Sequence, residues 1–211
     1  MLLTLVLFAA SCAGQTVFDF ENAASGQIPA GWTAAVTHGE GNQPATWTVL
    51  TDSTSNGGPR VLALTDPGQA GKKTFNLCWT QKALLENGTV SMDYRSHGGK
   101  TEQGAGLLWR VQDADNYYVA WDNPYTRLLQ VMVVANGRRI ALRSMKHVEI
   151  PLDQWHTLTV RCAGRSITVF LNGEKKLELT DDTILKPGGA GVWAPADAVT
   201  SFDKLIVQPE K

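Results

Sequence analysis

The sequence predicts an all-β protein, a β-sandwich of two packed antiparallel sheets with about 12–14 strands. Runs of alternating or β-branched residues recur along the chain, mostly 8–14 residues apart, with turn-forming residues between them. The composition agrees, since the 211 residues include 20 Gly, 9 Pro and 7 Trp spread over the whole length. No window has a helical apolar period, beyond at most one turn at Asp181–Leu185. So many strands do not fit one open twisted sheet, and two packed sheets are therefore expected.

The predicted strands follow one another without a break that would mark a second domain. In chain order they are Thr16–Phe20, Trp47–Leu50, Arg60–Thr65, Thr74–Trp79, Thr89–Arg95, Ala105–Val111, Tyr117–Trp121, Leu128–Ala135, Arg138–Met145, Trp155–Cys162, Ser166–Leu171, Lys175–Thr180, Ala190–Ala194 and Ser201–Gln208. Asn136-Gly137 and Asn172-Gly173 predict hairpins, because both central residues of such a turn need a positive φ. The Gly-, Ala- and Pro-rich region Asn22–Gln43 predicts a long loop. Residues 16–211 are expected to form a single domain.

Residues 1–15 predict an export signal. Leu2–Ala10 is an apolar run of nine residues, too short to span a bilayer, and small residues follow it. Ala9-Ala10-Ser11-Cys12 also resembles a bacterial lipobox, which would place a lipid on Cys12 after cleavage. The expected location is the periplasm or the outer membrane for a lipoprotein, and otherwise the medium. Peripheral membrane attachment is expected only if Cys12 is lipidated.

Two cysteines remain after the signal, Cys78 and Cys162. Outside the cytoplasm such a pair can form a disulfide. Both cysteines also lie in apolar, strand-like runs, where a buried free thiol packs as a small hydrophobic group. The sequence leaves both alternatives open.

Charge and motifs exclude several functions. With 19 Lys and Arg against 20 Asp and Glu, and no basic cluster, nucleic acid is not an expected partner. GxSxG, HExxH and GxxxxGK[ST] motifs are absent from the sequence, as is any His and Cys spacing typical of zinc. Asp113, Asp115 and Asn116 have calcium-like spacing but are more typical of a turn. No cofactor is expected, with a divalent cation such as calcium as the alternative.

Side-chain alternation on three consecutive strands predicts a polar face. In Thr89–Arg95, Gly104–Gln112 and Asn116–Asp122, one face is apolar and the other is polar. The polar face is expected to carry Asp93, Arg95, Arg110, Gln112, Tyr118 and Asp122. Guanidinium, carboxylate and aromatic groups suit sugar hydroxyls, so this face, concave if the sheet curves, predicts a sugar site with Trp121 or Trp193 as a stacking platform. The alternative is a solvated face with surface ion pairs.

A series of short motifs over residues 16–208 resembles known families. It is similar to the bacterial concanavalin A-like, laminin-G-like jelly rolls and to the related 3-keto-disaccharide hydrolase family. The motifs are Trp109-Arg110, Tyr117-Tyr118, Trp155-His156, Asn172-Gly173, Val192-Trp193 and Phe202-Asp203. The resemblance implies a secreted jelly roll that binds or processes carbohydrate.

For an enzyme, the resemblance implies metal-assisted proton abstraction beside a ketone of an oxidised sugar. The candidate base is Asp93 or His97, and the candidate oxyanion stabiliser is Arg110. The sequence departs from the family, because no His, Asp and Glu metal triad is evident and Val192-Trp193 replaces a Leu-Gln pair.

Three functions follow from the sequence. The leading one is an exported bacterial carbohydrate-binding jelly roll, in which Arg95, Arg110, Tyr118 and Asp122 contact the glycan. The alternative is a hydrolase or lyase that cleaves 3-keto-glycosides. The third is an adhesion or structural module that binds another protein.

Overall fold

The computed structural model describes residues 14–37, 45–67 and 75–210. These ranges contain fifteen strands and no helix. The strands are β1 Thr16–Phe18, β2 Trp32–Val36, β3 Thr46–Thr51, β4 Arg60–Asp66, β5 Phe75–Leu85, β6 Gly88–Gly98, β7 Gly106–Asp113, β8 Asn116–Asn123, β9 Leu128–Ala135, β10 Arg138–Lys146, β11 Trp155–Ala163, β12 Ser166–Leu171, β13 Glu174–Thr180, β14 Gly188–Pro195 and β15 Val199–Pro209. Within the described residues, no helix is long and apolar enough to cross a membrane.

The strands form two antiparallel sheets that pack face to face. Sheet A has the order β13-β12-β11-β6-β15-β4-β3, and β1 also pairs with β15. Sheet B has the order β10-β9-β8-β7-β14-β5-β2. Consecutive strands pair in β3–β4, β7–β10 and β11–β13, whereas the pairings β11-β6-β15-β4 and β7-β14-β5-β2 join distant parts of the chain, as in a jelly roll. The predicted fold class is therefore confirmed.

The strand predictions agree with most of the structure but miss one element. The strand at Trp32–Val36 lies inside the region predicted as a long loop. It is the edge strand of sheet B and pairs with Asn76–Thr80 of β5. Five residues among Gly, Ala and Pro give little local signal, so the distant partner strand decides this structure. The turn at Asp181–Leu185 is not helical. Cys12 and most of the predicted signal lie outside the described residues.

The core between the sheets is large and aromatic. Leu62, Tyr94 and Phe202 of sheet A meet Trp109 and Tyr118 of sheet B, and each has an exposed fraction of 0%. The rings of Trp109 and Tyr118 stack at a centroid distance of 5.3 Å and an interplanar angle of 12°. Burying aromatic side chains of this size contributes a large share of folding free energy.

The outer face of sheet B carries a second apolar layer. It includes Leu108, Val119 and Trp193, all with an exposed fraction of 0%. Glycine in β14 is needed for this packing, because a Cβ at Gly191 would lie 2.3 Å from the carbonyl oxygen of Cys78. Both faces of the central strands of sheet B are therefore buried, and the Gly-rich segment of β14 is one of these strands.

Cys78 and Cys162 are both buried free thiols, so of the two alternatives left open by the sequence the structure has the free pair and not the disulfide. Cys78 lies in β5 of sheet B and Cys162 in β11 of sheet A. The Cys162 thiol donates to the carbonyl oxygen of Glu86 at 3.6 Å. Burial raises the pKa of both thiols above the ordinary value, which suppresses the reactive thiolate.

Iodoacetamide is expected to leave Cys78 and Cys162 unmodified in the folded protein, because both thiols are buried and protonated. In guanidinium chloride without a reductant, both are expected to be alkylated completely. Peptide mass spectrometry reads the two positions separately. A Cys78–Cys162 peptide that resists alkylation until a reductant is added would contradict the free-thiol structure.

Candidate functional site

The structure distributes the predicted site residues over three places, so the single shared polar face is a wrong prediction. Asp93, Arg95 and His97 lie on the outer face of sheet A. The side chains between or beside the inner faces are Arg110, Tyr118 and Asp122, each with an exposed fraction of 0%. Trp121 and Trp193 belong to the apolar layer outside sheet B.

A β-bulge at Arg110 explains why this side chain does not lie on the predicted polar face. Arg110 has a φ of 50°, and the pairing of β7 with β8 shifts register between Trp109 and Asp113. A bulge places two consecutive side chains on the same side of a sheet, which reverses the alternation beyond it. Trp109 therefore packs in the main core while Arg110 is buried beside it, and Val111 joins the outer layer.

Arg110 connects three loops through their backbone carbonyls. Nε and Nη2 donate to the carbonyl oxygen of Glu86 at 2.9 and 2.6 Å. Nη1 donates to Ile184 at 2.9 Å, and Nη2 also donates to Gly164 at 2.8 Å. All three guanidinium nitrogens are thus used within the fold. Four of its five N–H donors are used in this way, and the side chain has an exposed fraction of 0%. This geometry gives Arg110 a structural role and keeps it away from a sugar or an oxyanion.

Tyr118 and Asp122 also have partners inside the fold. The Tyr118 hydroxyl donates to Asp181 and accepts from the N–H of Ile184 at 3.1 Å. Asp122 accepts hydrogen bonds from the Tyr94 hydroxyl and, at 3.2 Å, from the N–H of Ala105. Burial raises the pKa of Asp122 to about 7, although both hydrogen bonds act in the opposite direction.

The predicted stacking residues lie in the outer layer of sheet B. Trp193 stacks on Phe75 at a centroid distance of 5.2 Å and an angle of 7°. Trp121 is half-buried, and its indole N–H donates to Gln130 at 3.2 Å. The Arg139 guanidinium lies 3.9 Å from the centre of the Phe75 ring, beside a cavity of about 550 Å³. Trp193 has no free ring face for a ligand, whereas Trp121 is partly accessible.

A second set of charged and aromatic side chains gathers on the outer face of sheet A. We call it the polar site. Its residues are Asp52, Thr54, Arg95, His97, Asp153, Trp155 and Ser201. Three adjacent strands build it, because Arg95 of β6 pairs with Trp155 of β11 on one side and with Ser201 of β15 on the other. The loop after β3 covers one edge of the site with Asp52 and Thr54.

Arg95 lies at the centre of the polar site. Its Nη1 donates to Thr54 Oγ1 at 2.6 Å and lies 3.6 Å from Asp52 Oδ2, while Nη2 lies 3.7 Å from Asp153 Oδ1. The indole N–H of Trp155 donates to the same Thr54 oxygen at 3.0 Å. Burial alone would raise the pKa of Asp52, but hydrogen bonds from Thr54 and the positive Arg95 outweigh burial, so the pKa is lowered. Asp52 is therefore an ionised partner of Arg95.

His97 connects two further members of the polar site. Its Nδ1 lies 3.0 Å from Asp153 Oδ1, and its Nε2 lies 2.9 Å from Ser201 Oγ. A cavity of about 300 Å³ adjoins this pair and is lined by Asp52, His97 and Ser201, among others. The cavity adjoins the buried Ser201 and the exposed His97.

Asp93 lies next to the polar site and faces a second carboxylate. Its Oδ1 accepts from Thr157 at 2.6 Å, and its cross-strand partner on β15 is Asp203. Asp203 has an exposed fraction of 1% and accepts from Ser55. Burial and the nearby charge of Asp93 raise the pKa of Asp203.

Sequence reasoning found part of the polar site and missed the rest. Arg95 and His97 are among the predicted residues, whereas Asp52, Asp153 and Ser201 are not. The only local signals are that Asp153 lies two residues before Trp155 and that Ser201 directly precedes Phe202. What joins them is the order β11-β6-β15, which alternation along one strand does not reveal.

The described residues contain no group of three or more His, Cys, Asp and Glu side chains arranged to hold a metal ion. Asp113, the first of the three residues with calcium-like spacing, stabilises the turn between β7 and β8 instead. Its side chain accepts from the N–H of Asp115 at 2.8 Å and from Asn116 at 2.9 Å. The donors in these ranges thus do not fit the metal that the family resemblance implies.

Fold and site together define a jelly-roll β-sandwich with one aromatic outer face and one charged outer face. Residues 15–198 match the family described as the 3-keto-alpha-glucoside-1,2-lyase-like domain. This chain belongs to that family. No curated protein sequence matches it.

Several solved structures share the fold. Carbohydrate-binding module CBM66 from Bacillus subtilis is 18% identical, with a TM-score of 0.62 over 87% of this chain and 97% of that chain. A putative glycosyl hydrolase from Parabacteroides distasonis is 15% identical, with a TM-score of 0.54 over 92% of this chain and 99% of that chain. The exoplasmic domain of VIP36 bound to Ca²⁺ and Man3GlcNAc is 16% identical, with a TM-score of 0.57 over 88% of this chain and 87% of that chain.

Proposed function

We propose that this protein binds carbohydrate at the polar site. The observation that carries the proposal is Arg95, whose guanidinium lies within 3.7 Å of two carboxylates and beside the half-buried Trp155. Sugars present hydroxyl groups that pair with planar charged groups, and C–H faces that pack on aromatic rings. The polar site offers both kinds of contact beside a cavity of about 300 Å³.

The relatives support the same class of ligand. Their names include a carbohydrate-binding module and a domain bound to a mannose-containing glycan, and the family description names a glucoside. The proposal also places the protein outside the cytoplasm, on the basis of the export signal predicted at residues 1–15. Lipidation at Cys12 would hold it at a membrane surface, and cleavage without lipidation would release it.

A glycan array followed by calorimetry with the strongest hit tests the proposal. Arg95→Gln is expected to weaken binding about tenfold or more, because a charge-assisted hydrogen bond contributes about 1.5–3 kcal/mol. Trp155→Ala is expected to have a similar effect through the lost ring contact. Arg161→Gln is the matched control, since Arg161 lies on the same face of β11 at the opposite end of the strand.

Two results would overturn the carbohydrate proposal. One is an array with no glycan bound, particularly if a pull-down with the same protein finds a tight protein partner. The other is a bound glycan whose affinity is the same for wild type and Arg95→Gln. Thermal unfolding of each variant checks that the fold is intact.

Cleavage of 3-keto-glycosides is the second candidate function, and the family description favours it. His97 in the polar site and the adjacent Asp93 are the available bases for proton abstraction. Arg110 is not available as an oxyanion stabiliser, because its donors bind backbone carbonyls. The test is incubation with a 3-keto-glucoside, with and without added divalent metals. No sugar release under any of these conditions would remove this candidate.

A further inference from the structure

We infer that Ser201, His97 and Asp153 form a nucleophilic relay that hydrolyses small carboxylic esters within the polar site. His97 lies between the other two, with Nε2 at 2.9 Å from Ser201 Oγ and Nδ1 at 3.0 Å from Asp153 Oδ1. A nucleophile, a base and an orienting carboxylate in this order are the arrangement that activates a serine hydroxyl. The inference rests on the proposed function for one point only: if the protein binds carbohydrate, the alcohol part of the ester is a sugar.

The position of the protons follows from the partners of His97. A carboxylate only accepts hydrogen bonds, so Nδ1 must carry the proton that is donated to Asp153. In the neutral imidazole, Nε2 is then the acceptor, and the Ser201 hydroxyl donates to it. This is the tautomer in which the imidazole can remove the proton of the serine.

The fold places the three residues in a row across three neighbouring strands. Ser201 lies on β15, His97 on β6, and Asp153 in the turn before β11. Gly98 pairs with Val199 and Ser96 with Thr200, which leaves His97 as an extra residue of a bulge. Bulges are frequent where a side chain must be redirected towards a functional site.

Asp153 is held in position by its backbone. It has a φ of 58°, in the left-handed region, and its N–H donates to the carbonyl oxygen of Ser96 at 2.9 Å. Ser96 directly precedes His97 on β6. The strained turn is therefore fixed to the same strand that carries the base, which sets the distance between the carboxylate and the imidazole.

A substrate has access to the relay through a cavity, and a positive charge lies on the neighbouring strand. Ser201 and His97 both line the cavity of about 300 Å³, which is large enough for a short acyl group. Arg95 is the cross-strand partner of Ser201, and among the described residues its buried Nε–H has no hydrogen-bond partner. The positive charge of this guanidinium, on the strand next to the nucleophile, is suited to stabilise an oxyanion.

The reaction balances with water as the second reactant. Ser201 Oγ attacks the ester carbonyl carbon and its proton passes to His97 Nε2, which gives a tetrahedral oxyanion near the positive charge of Arg95. The bond from the carbonyl carbon to the alkoxy oxygen then breaks, and the His97 proton goes to the departing alcohol. Water attacks the acyl group on Ser201 with His97 as base, and the carboxylic acid and free serine are released.

Two assays on the purified protein test the relay. The first is release of p-nitrophenolate from p-nitrophenyl acetate, and the second is covalent labelling by a fluorophosphonate probe, located by peptide mass spectrometry. Label is expected on Ser201. The variants Ser201→Ala and His97→Asn are expected to lower the hydrolysis rate at least ~100-fold, and Asp153→Asn at least ~10-fold. Ser91→Ala on the same face of β6 and His147→Asn are expected to keep the wild-type rate.

The labelling result needs no variant, so it decides the relay even if a substitution prevents folding. A folded wild-type protein with no label on Ser201 would overturn the inference, as would hydrolysis that persists in a folded Ser201→Ala variant. The glycan array is run on the same preparation. Glycan binding without labelling overturns the relay and leaves the proposed function standing. Labelling without glycan binding supports the relay and removes sugar as its alcohol part.

Discussion

Arg110→Met is expected to lower the free energy of unfolding by about 3 kcal/mol or more. The substitution removes four hydrogen bonds and leaves the carbonyl oxygens of Glu86, Gly164 and Ile184 without this donor. A buried acceptor that loses its partner costs about 1–3 kcal/mol, and relief from burying the charge offsets part of the sum. Urea unfolding at neutral pH, followed by tryptophan fluorescence, measures the difference.

Two further variants separate the causes of the Arg110 effect. Arg161→Met is the surface control, since Arg161 is exposed and pairs with Glu210 at 3.5 Å, and a change within about 0.5 kcal/mol is expected. Arg110→Lys keeps the charge but lacks the planar fork that reaches three carbonyls, so an intermediate loss is expected. If Arg110→Met kept wild-type stability and lost glycan binding, the structural role would be wrong and the residue would belong to the ligand site.

The fold was predictable because alternation, turn residues and the missing helical period are local signals that agree with one another. Leu128–Ala135 and Ser166–Leu171 match strands β9 and β12 residue for residue. The strand at Trp32–Val36 was not predictable in this way, because its stability comes from pairing with β5. Local propensity decides an element only where the distant partner adds little.

The position of the site was less predictable, because polar alternation along a strand does not by itself identify an exposed face. In β8, Val119 and Tyr117 lie in the outer layer of sheet B while Ala120 and Tyr118 lie in the main core. When both faces of a strand are buried, alternation no longer identifies the solvent side. The bulge at Arg110 is a second reason why the prediction was wrong. The pattern of one strand does not show where its pairing with the neighbouring strand shifts register.

Asp122→Asn is expected to flatten the dependence of stability on pH between about 4 and 7. Burial raises the pKa of Asp122 to about 7 in the folded protein, whereas an unfolded aspartate titrates at about 3.9. Over this interval the folded state holds a proton that the unfolded chain has released. The free energy of unfolding therefore falls as the pH rises, by up to about 1.4 kcal/mol per pH unit for this one group, and levels off above about pH 7.

Carboxyl groups whose pKa is lowered in the folded protein change stability with pH in the opposite direction, and they do so at lower pH. Asp197 is the strongest case: burial would raise its pKa, but hydrogen bonds from Thr101, Glu102 and Lys100 lower it to about 2. Its stabilising contribution is present above the unfolded pKa of about 4 and is lost as the pH falls towards 2. Because the two ranges do not overlap, acid unfolding below pH 4 does not obscure the Asp122 effect. Asp203, whose pKa burial also raises, contributes with the same sign as Asp122.

The measurement is the free energy of unfolding in urea at several pH values between about 4 and 8, for wild type, Asp122→Asn and Asp182→Asn. Asp182 is the control, because it is exposed and forms a surface ion pair with Arg165 at 3.2 Å. The difference between wild type and Asp122→Asn isolates the buried carboxyl from every other titrating group. Parallel curves for these two proteins would show that Asp122 ionises in the folded state at its ordinary pKa. That result would mean that solvent reaches the Tyr94–Asp122 pair and that the interior between the sheets is wetter than the packing of Trp109 and Tyr118 implies.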